Sequence, residues 1–446
     1  MNTHRRTAEG TPSPMLTTCT QPLYSSVLQT NNNLTKQIDS YITAKGLPGD
    51  DYNHHRFMTP LMLADNPQAK ATLYNIVDDL LCLFKEPTQS KYRETQRQMI
   101  EFVLLNLAQS SLTDRWTLVV KNKAQYSNDH RLLDFSYGSL MGVIETLIAE
   151  KLINYRKGGK YTKGSMCSRI YPMKLLEMQL YPLALMTQQA IKPPFITINE
   201  PEAGWQTVLS NLSGTHPDRL KMETINEFLK SHTWACKGPI RLIYKHSIFS
   251  GGRIYTPFQN LPVKAVPLRI NTLIDGEPIA EVDFNASHLR MGLALFGGED
   301  AGDDPYRKIA DYAQTTRDKV KGYITISLSS SSAKSAHNAL KNNGYGGPEI
   351  EALENATRRC YPSLRLYDGL GIHLQSLEGQ ILLHVMYLGV LEGKVVLPIH
   401  DAVAVKAQDA KWAAERMEAA WVQVCCKKGD AARPRLKAKT PQIPQS

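Results

Sequence analysis

Two aspartates that lie in short apolar stretches constrain the fold of this chain more than any other sequence feature. Asp283 follows a strand-like run at residues 279–282, and Asp401 lies inside the apolar run at residues 395–405. The first pattern predicts a strand that ends near Asp283, and the second predicts a hairpin with Asp401 near its tip. Helix capping is the alternative explanation for Asp283, because the residues after it would suit the start of a helix.

Carboxylates on neighbouring strand ends have a specific use in metal chemistry. Two Mg²⁺ ions shared by such carboxylates, about 3.5 to 4 Å apart, stabilise the attacking and leaving oxygens of an in-line phosphoryl displacement. Without cations the two carboxylates repel each other, so a purely structural pair is uncommon. If both aspartates reach one place, we therefore expect a two-magnesium site.

Two helices are predicted between the aspartates. Asp304 precedes a proline and predicts the start of the first helix, while Thr315 and Asp318 have the spacing of a capping box that opens the second. On the second helix, Arg317 and Lys321 are four residues apart and share a face. Such a cationic pair suits a triphosphate, although a solvated basic surface is the alternative. The apolar residues expected to anchor this helix are Val320, Ile324 and Leu328.

The order of these residues and of an upstream segment resembles the palm and fingers of family A DNA polymerases. The resemblance covers about residues 250–405, roughly a third of the chain. The residues that carry it, in chain order, are Gly252, Arg253, Gln259, Asn260, Leu261, Pro262, Arg269, Asp283, Leu289, Arg290, Asp304, Pro305, Tyr306, Arg317, Lys321, His400 and Asp401.

The resemblance implies that the chain adds nucleotides to a nucleic-acid 3′ end with two Mg²⁺ ions, bound by Asp283 and Asp401. Arg317 and Lys321 would grip the incoming triphosphate, and Lys321 would also neutralise or protonate the pyrophosphate leaving group. The other residues expected at the nucleotide are Tyr306, His288 and Thr325. Those expected at the nucleic acid are Arg253 at the primer end, His400 at the primer terminus, Gln259, Asn260, Arg269 and Arg290, with Glu378 facing the duplex.

Several positions depart from the family pattern. His288 stands where DNA-selective members carry a glutamate that excludes ribonucleotides, so the sugar is not specified. Thr325 and Ser329 stand where the family has aromatic rings, and only 80 residues separate Lys321 from Asp401, which predicts reduced fingers. Primase or single-subunit RNA polymerase activity is therefore a variant of this hypothesis. A noncatalytic DNA-binding initiator or regulator, with a palm that serves as scaffold, is the alternative from another class.

Residues 91–176 resemble a winged helix-turn-helix. A helix is expected at about residues 93–108, a strand from Trp116, and an amphipathic helix over 136–151 with Ser136 as its cap. Two strands joined by a basic turn at residues 157–160 would form the wing. Duplex DNA is the expected partner, and docking to a protein is the alternative. The wing residues expected to contact the DNA backbone are Arg156, Lys157, Lys160 and Lys163.

The predicted architecture is α+β, a right-hand polymerase-like palm with reduced fingers preceded by a winged helix-turn-helix domain. Its predicted parts are a flexible N-terminus (1–35), a mostly helical region (36–190), a linker with a thumb-like helix (191–250), palm and fingers (251–426) and a disordered basic tail (427–446).

Composition sets the expected compartment and partners. Lys and Arg number 52 against 42 Asp and Glu, a net charge of +10 that favours a polyanionic partner such as nucleic acid. Seven scattered cysteines without a CxxC motif indicate a reducing cytoplasm, and neither a signal peptide nor a membrane span is expected. With the resemblance, this suggests replication of a phage, plasmid or other mobile element.

Overall fold

The structure, a computed structural model, describes most of the chain. The described residues are 28–29, 32–50, 54–58, 62–64, 66–85, 89–119, 136–161, 164–199, 207–209, 212–245, 247–296, 300–425 and 434–441. They divide into two units of mixed α and β structure. The first unit comprises residues 1–190, 235–237 and 261–266, and the second comprises residues 191–234, 238–260 and 267–446.

The first unit combines helices with a small sheet. Its helices are α1 (Asn32–Ala44), α2 (Pro67–Leu81), α3 (Ser90–Thr113), α4 (Tyr137–Ala149) and α5 (Lys174–Met186). Its strands are β1 (His55–Phe57), β2 (Met62–Leu63), β3 (Trp116–Val119), β4 (Ile153–Arg156), β5 (Gly159–Tyr161), β6 (Gly164–Met166), β7 (Ser168–Pro172) and β8 (Gln188–Gln189). The main sheet has the order β1-β3-β7-β4.

The secondary structure expected around the wing is confirmed in part. Helices α3 and α4 lie where they were expected, and the side chain of Ser136 caps α4 by accepting a hydrogen bond from the Ser139 amide. The predicted turn at residues 157–160 is wrong, because residues 159 and 160 belong to β5. β4 pairs with β7, and β5 pairs with β6, so the hairpin is longer than expected.

The second unit contains most of the longer strands and helices. Its helices are α6 (Pro217–Leu229), α7 (Ser287–Phe296), α8 (Pro305–Ala313), α9 (Arg317–Ser329), α10 (Ala333–Asn342), α11 (Gly347–Cys360), α12 (Gly371–Leu391) and α13 (Ala410–Cys425). Its strands are β9 (Ile196–Asn199), β10 (Thr207–Leu209), β11 (Arg241–Lys245), β12 (Ser247–Tyr255), β13 (Leu273–Ile274), β14 (Glu277–Phe284), β15 (Leu397–Ile399), β16 (Ala402–Lys406) and β17 (Leu436–Lys439).

Two sheets organise the second unit. One has the order β10-β9-β11-β12, so the predicted linker at residues 191–250 contains strands as well as α6. The other has the order β13-β14-β16-β15, and β17 pairs with residues 281–284 at the C-terminal end of β14. β14 is buried at residues 279–282 and 284, and β16 is buried at residues 402–405, which explains why both segments are rich in apolar residues. The core of this unit lies around these two strands.

The C-terminal segment differs from its expectation. Residues 427–446 were predicted to be disordered, but β17 forms four antiparallel register pairs with β14, from Phe284↔Leu436 to Glu281↔Lys439. Residues 426–433 and 442–446 lie outside the described part of the chain. Among the described helices, none combines the length and the apolar character needed to cross a membrane.

Candidate active site

The strand register brings the two aspartates together. Asp283 is paired with Ala402 across β14 and β16, and Asp401 comes directly before Ala402. Asp401 also belongs to the two-residue turn between β15 and β16, since Ile399 pairs with Ala402. The other turn residue, His400, has a left-handed φ of 56°. The hairpin expected at Asp401 is therefore confirmed, and Asp283 lies in a strand rather than at a helix cap.

Asp283 and Asp401 are half-buried carboxyl groups of the same charge sign. Burial, and then the negative charge of Asp401, raise the pKa of Asp283 to about 6. Burial and the nearby Glu378 carboxylate also raise the pKa of Asp401. Lys321 and Lys439 act in the opposite direction on Asp283. Burial is therefore the main reason that each aspartate resists ionisation, and a neighbouring carboxylate adds to it.

A third acidic residue, Glu378 on α12, is linked to Asp401 through Ser287. The Ser287 hydroxyl is 2.6 Å from Glu378 Oε1 and 3.1 Å from Asp401 Oδ2, so this serine bridges two carboxylates. His288 Nε2 lies 3.0 Å from Glu378 Oε1. Burial opposes the charge of Glu378, but His288, Ser287 and Arg253 hold its pKa below the usual range. His288 is therefore paired to an acid at the floor of the site.

Glycines on β12 and α12 allow Arg253 to come close to Glu378. Gly251 and Gly252 have positive φ values of 76° and 89°, and the β11–β12 register shifts beside them. A Cβ on Gly379 of α12 would lie 1.8 Å from the Gly252 carbonyl oxygen, so only glycine permits this approach of helix and strand. Arg253 Nε is buried without a hydrogen-bond partner among the described residues.

The cations of α9 lie on the expected helix. Its cap is Thr316, whose side chain accepts from the Lys319 amide, rather than the expected Thr315. Arg317 Nε donates to Asp304 at 2.8 Å, and its guanidinium lies 5.3 Å from the centre of the buried Tyr306 ring. Val320, Ile324 and Leu328 are fully buried, as expected for the anchoring face.

Lys321 and Thr325 are exposed on the same helix. Within the described residues, Lys321 Nζ forms no ion pair shorter than 4 Å, and its charge acts on Asp283. The Thr325 hydroxyl donates to the Lys321 carbonyl at 2.8 Å. Tyr306 on α8 is close enough to Asp401 that the carboxylate, after burial, raises the pKa of its phenol. Among the residues expected at the nucleotide, Lys321 therefore acts on Asp283 and Tyr306 on Asp401, whereas the Thr325 hydroxyl is used by its own helix.

His400, expected at a primer terminus, stands next to Asp401 in the turn. Burial and the positive charge of Arg253 lower the pKa of this histidine, and Asp401 opposes them. The imidazole is therefore mostly neutral near pH 7, and it can accept as well as donate a hydrogen bond.

Two of the arginines expected to bind nucleic acid have internal partners instead. Arg269 donates from Nε and Nη2 to the two oxygens of Glu281, at 2.7 and 3.2 Å. Arg290 is 1% exposed, and its guanidinium donates to the carbonyl oxygens of Asn285, Gly302 and Asp303. Their expected contacts with nucleic acid are not supported, because both guanidinium groups are occupied by structural hydrogen bonds.

The remaining upstream residues are divided between core and surface. Gln259 is buried, and its Oε1 has no hydrogen-bond partner among the described residues. Asn260, at the end of the 3₁₀ turn Pro257–Asn260, is exposed. Asn260 is therefore accessible to a ligand, whereas Gln259 is part of the buried interior.

The wing residues of the first unit are also divided. Arg156 is paired with Asp50 and lies 4.9 Å from the centre of the Trp116 ring, so its charge is already neutralised. Lys157 is exposed. Lys160 has its backbone in β5, while its side chain and the whole of Lys163 lie outside the described residues.

Magnesium would need ligands besides the two aspartate carboxylates. In the part of the chain that the structure describes, no group of three or more His, Cys, Asp and Glu side chains has a metal-binding arrangement. Mg²⁺ nevertheless often takes only one or two protein carboxylates and completes its shell with water and substrate phosphates. The raised pKa values of Asp283 and Asp401 indicate a deficit of positive charge that a divalent cation would correct. The pair therefore fits Mg²⁺ bound together with a phosphate ligand.

Sequence reasoning missed three residues near this site, namely Ser287, Lys437 and Lys439. Ser287 has no signal of its own in the sequence, because its partners are 91 and 114 residues away. Lys437 and Lys439 were assigned to a disordered tail, although the alternation of apolar and basic residues at positions 436–439 is typical of a strand.

Comparisons with known proteins do not establish a family. No protein-family model matches the chain, and no curated protein matches it. Among solved structures, the polymerase domain of Pol1 from M. smegmatis, in a complex with DNA primer-template and dNTP, aligns with a TM-score of 0.33. The alignment covers 90% of this chain and 80% of that chain at 10% identity. A TM-score this low does not establish a shared fold.

Proposed function

We propose that this chain is a nucleotidyltransferase that adds nucleotides to a nucleic-acid 3′ end with two Mg²⁺ ions. The observation that carries the proposal is the pair of half-buried carboxylates, Asp283 and Asp401, which the strand register brings together and both of which have a raised pKa. Such a pair destabilises a protein that has no cation to place there. A cationic helix next to the pair completes the arrangement that phosphoryl transfer requires.

Each group has a distinct task in this reaction. Asp283 and Asp401 would hold the metal ions, which when bound stabilise charge on the attacking and leaving oxygens. Lys321 lies on the exposed face of α9, where its ammonium can bind the triphosphate and neutralise the departing pyrophosphate. Arg317 lies on the same helix and would bind the triphosphate with the donors that its hydrogen bond to Asp304 leaves free.

The opposite side of the site is suited to the growing strand. Arg253 carries a buried donor without a partner among the described residues, and His400 stands beside Asp401. Both would contact the primer end, where a hydrogen-bond donor is needed for sugar and base oxygens. His288 stands where a glutamate would exclude ribonucleotides, and its ring lies 3.0 Å from Glu378, so the proposal does not specify the sugar.

The N-terminal unit would recruit the enzyme to duplex DNA through the basic hairpin that includes Lys157. A polymerase with its own DNA-binding module suits replication of a phage, plasmid or other mobile element. The net charge of +10 supports binding to a polyanion.

A noncatalytic DNA-binding initiator is the second candidate. Thr325 and Ser329, both exposed on α9, favour it, because they cannot supply aromatic stacking on a nascent base pair. Asp283 and Asp401 disfavour it, because a scaffold has no use for buried carboxylates that repel each other.

The test is incorporation of labelled nucleotides by the full-length protein with Mg²⁺. Deoxynucleotides and ribonucleotides are supplied separately, on a primed template and on bare single strands, to wild type and to Asp283→Asn. Glu277→Gln serves as the matched control, since Glu277 lies on the same strand but is paired with Lys406 at the surface. The proposal predicts incorporation by wild type and the control and none by Asp283→Asn. Folded wild type that binds DNA but incorporates neither sugar would favour the noncatalytic initiator.

A further inference from the structure

The C-terminal strand β17 places two lysines on the same face of the sheet as the aspartate. Residues paired directly across antiparallel strands project to the same side. Lys437 is paired with Asp283, and Lys439 is paired with Glu281. The intervening pair, Val282 and Ala438, projects to the opposite side.

Contacts just before β17, and the packing of its neighbour β14 against α13, hold the strand in place. The Asn285 amide donates to the Arg435 carbonyl at 2.8 Å, which extends the strand pairing beyond β14. Arg435 Nε also lies 3.3 Å from Asp303 Oδ1. On the far face, Phe284 packs against Trp421 of α13 with ring centres 5.0 Å apart. The lysine backbones are therefore held in register with the site.

The ammonium groups themselves are not committed to protein partners. Both lysines are exposed, and within the described residues neither forms an ion pair shorter than 4 Å. Lys439 stands opposite Glu281, but that carboxylate is already bound by two donors of Arg269. Lys437 stands opposite Asp283, which the proposed function assigns to metal. Two exposed cations thus border the site, and neither is ion-paired with a carboxylate of the described residues.

We propose that Lys437 and Lys439 bind phosphate groups of the ligand at the nucleotidyl-transfer site. This inference rests on the proposed function, and it makes β17 a part of the site rather than a solvent-exposed tail. The phosphates belong either to the incoming triphosphate or to the nucleic-acid backbone, and both would be recognised by the same charge. Lysines are also common on edge strands because they prevent aggregation, and that role would require no ligand.

The test uses the full-length double variant Lys437→Gln/Lys439→Gln, the charge-preserving Lys437→Arg/Lys439→Arg variant, and Lys411→Gln as an exposed-lysine control on α13. Dissociation constants for a nucleoside triphosphate and for primed DNA are measured separately, at several salt concentrations. We expect affinity to weaken about tenfold for each phosphate that no longer has a lysine partner. For DNA, the slope of log affinity against log salt should fall by about 0.9 for each such phosphate. The arginine variant should bind like wild type, and the ligand that weakens identifies which phosphates are bound.

The outcomes separate this inference from the proposed function. If the Gln double variant binds both ligands as wild type does, the lysine inference is overturned even when wild type incorporates nucleotides. If its thermal stability falls while both affinities remain, β17 has only a structural role. Lysine-dependent binding without incorporation by wild type would support phosphate binding and overturn transfer. A wild-type protein that binds neither ligand would overturn both.

Discussion

Replacing Arg290 tests whether this buried arginine stabilises the fold or binds nucleic acid. Its three hydrogen bonds join the start of α7 to the loop at residues 302–304, which also carries Asp304. Replacing it by methionine keeps most of the apolar stem but removes every donor. The carbonyl oxygens of Asn285, Gly302 and Asp303 would then lose a charged partner.

The size of the effect follows from these bonds. Hydrogen bonds to charged groups contribute about 1.5 to 3 kcal/mol each, so three would contribute about 4.5 kcal/mol or more. Part of this is offset, because methionine removes the cost of burying a guanidinium and exposed Asp303 can rehydrate. We therefore expect Arg290→Met to lower the free energy of unfolding by about 3 kcal/mol.

Urea unfolding of the free protein measures this change, and Arg307→Met on the exposed side of α8 is the control. The control should change the free energy of unfolding by less than about 0.5 kcal/mol. A decrease below about 1 kcal/mol in Arg290→Met, together with weakened binding of nucleic acid, would refute the structural role and restore the nucleic-acid contact expected from the sequence.

Four further predictions follow from the geometry. Asp304→Asn should raise the KM for nucleotide about three- to tenfold in steady-state assays with kcat less affected, because Arg317 loses its orienting partner. Burial and the charge of Asp401 raise the folded-state pKa of Asp283 from 3.8 to about 6, so the metal-free fold loses stability as pH rises between these values. In chelator, Asp283→Asn should therefore be more stable than wild type by up to about 3 kcal/mol at pH 7 and equal to it below about pH 4, as measured by urea unfolding. Gly379→Ala should lower the free energy of unfolding by at least about 2 kcal/mol, because its Cβ would lie 1.8 Å from a backbone oxygen of β12; an unchanged urea midpoint would contradict the close approach. Lys157→Glu should weaken binding to duplex DNA and reduce the slope of log affinity against log salt concentration by about 0.9. Fluorescence-anisotropy titrations that match wild type would exclude this residue from the interface.

Local sequence patterns were sufficient for the elements that hold the candidate site. The apolar runs around Asp283 and Asp401 predict the strand and the hairpin, because a buried strand needs apolar residues on both of its faces. The spacing of Val320, Ile324 and Leu328 likewise predicts the orientation of α9, since a helix buries every third or fourth residue.

Nonlocal pairing explains what the sequence did not predict. β17 adds to a strand more than 150 residues earlier, and its own segment is short and basic, so no local pattern specifies its partner. Arg269 and Arg290 look like exposed cations in the sequence, and only the fold brings Glu281 and three backbone carbonyls to them. The cap of α9 fell on Thr316 instead of Thr315 because both residues can accept the capping hydrogen bond, and helix geometry selects one.

We expect Asp283 and Asp401 to act as one metal-dependent unit. The measurement is a double-mutant cycle with Asp283→Asn, Asp401→Asn and the double variant, in single-nucleotide incorporation with Mg²⁺. Removal of several kcal/mol of transition-state stabilisation predicts a rate at least about 10³-fold lower for each single variant. Because the residues act together, the double variant should be no slower than the worse single variant. A single variant that incorporates nucleotide at the wild-type rate would contradict this expectation. So would a double variant whose rate decrease equals the product of the two single-variant decreases.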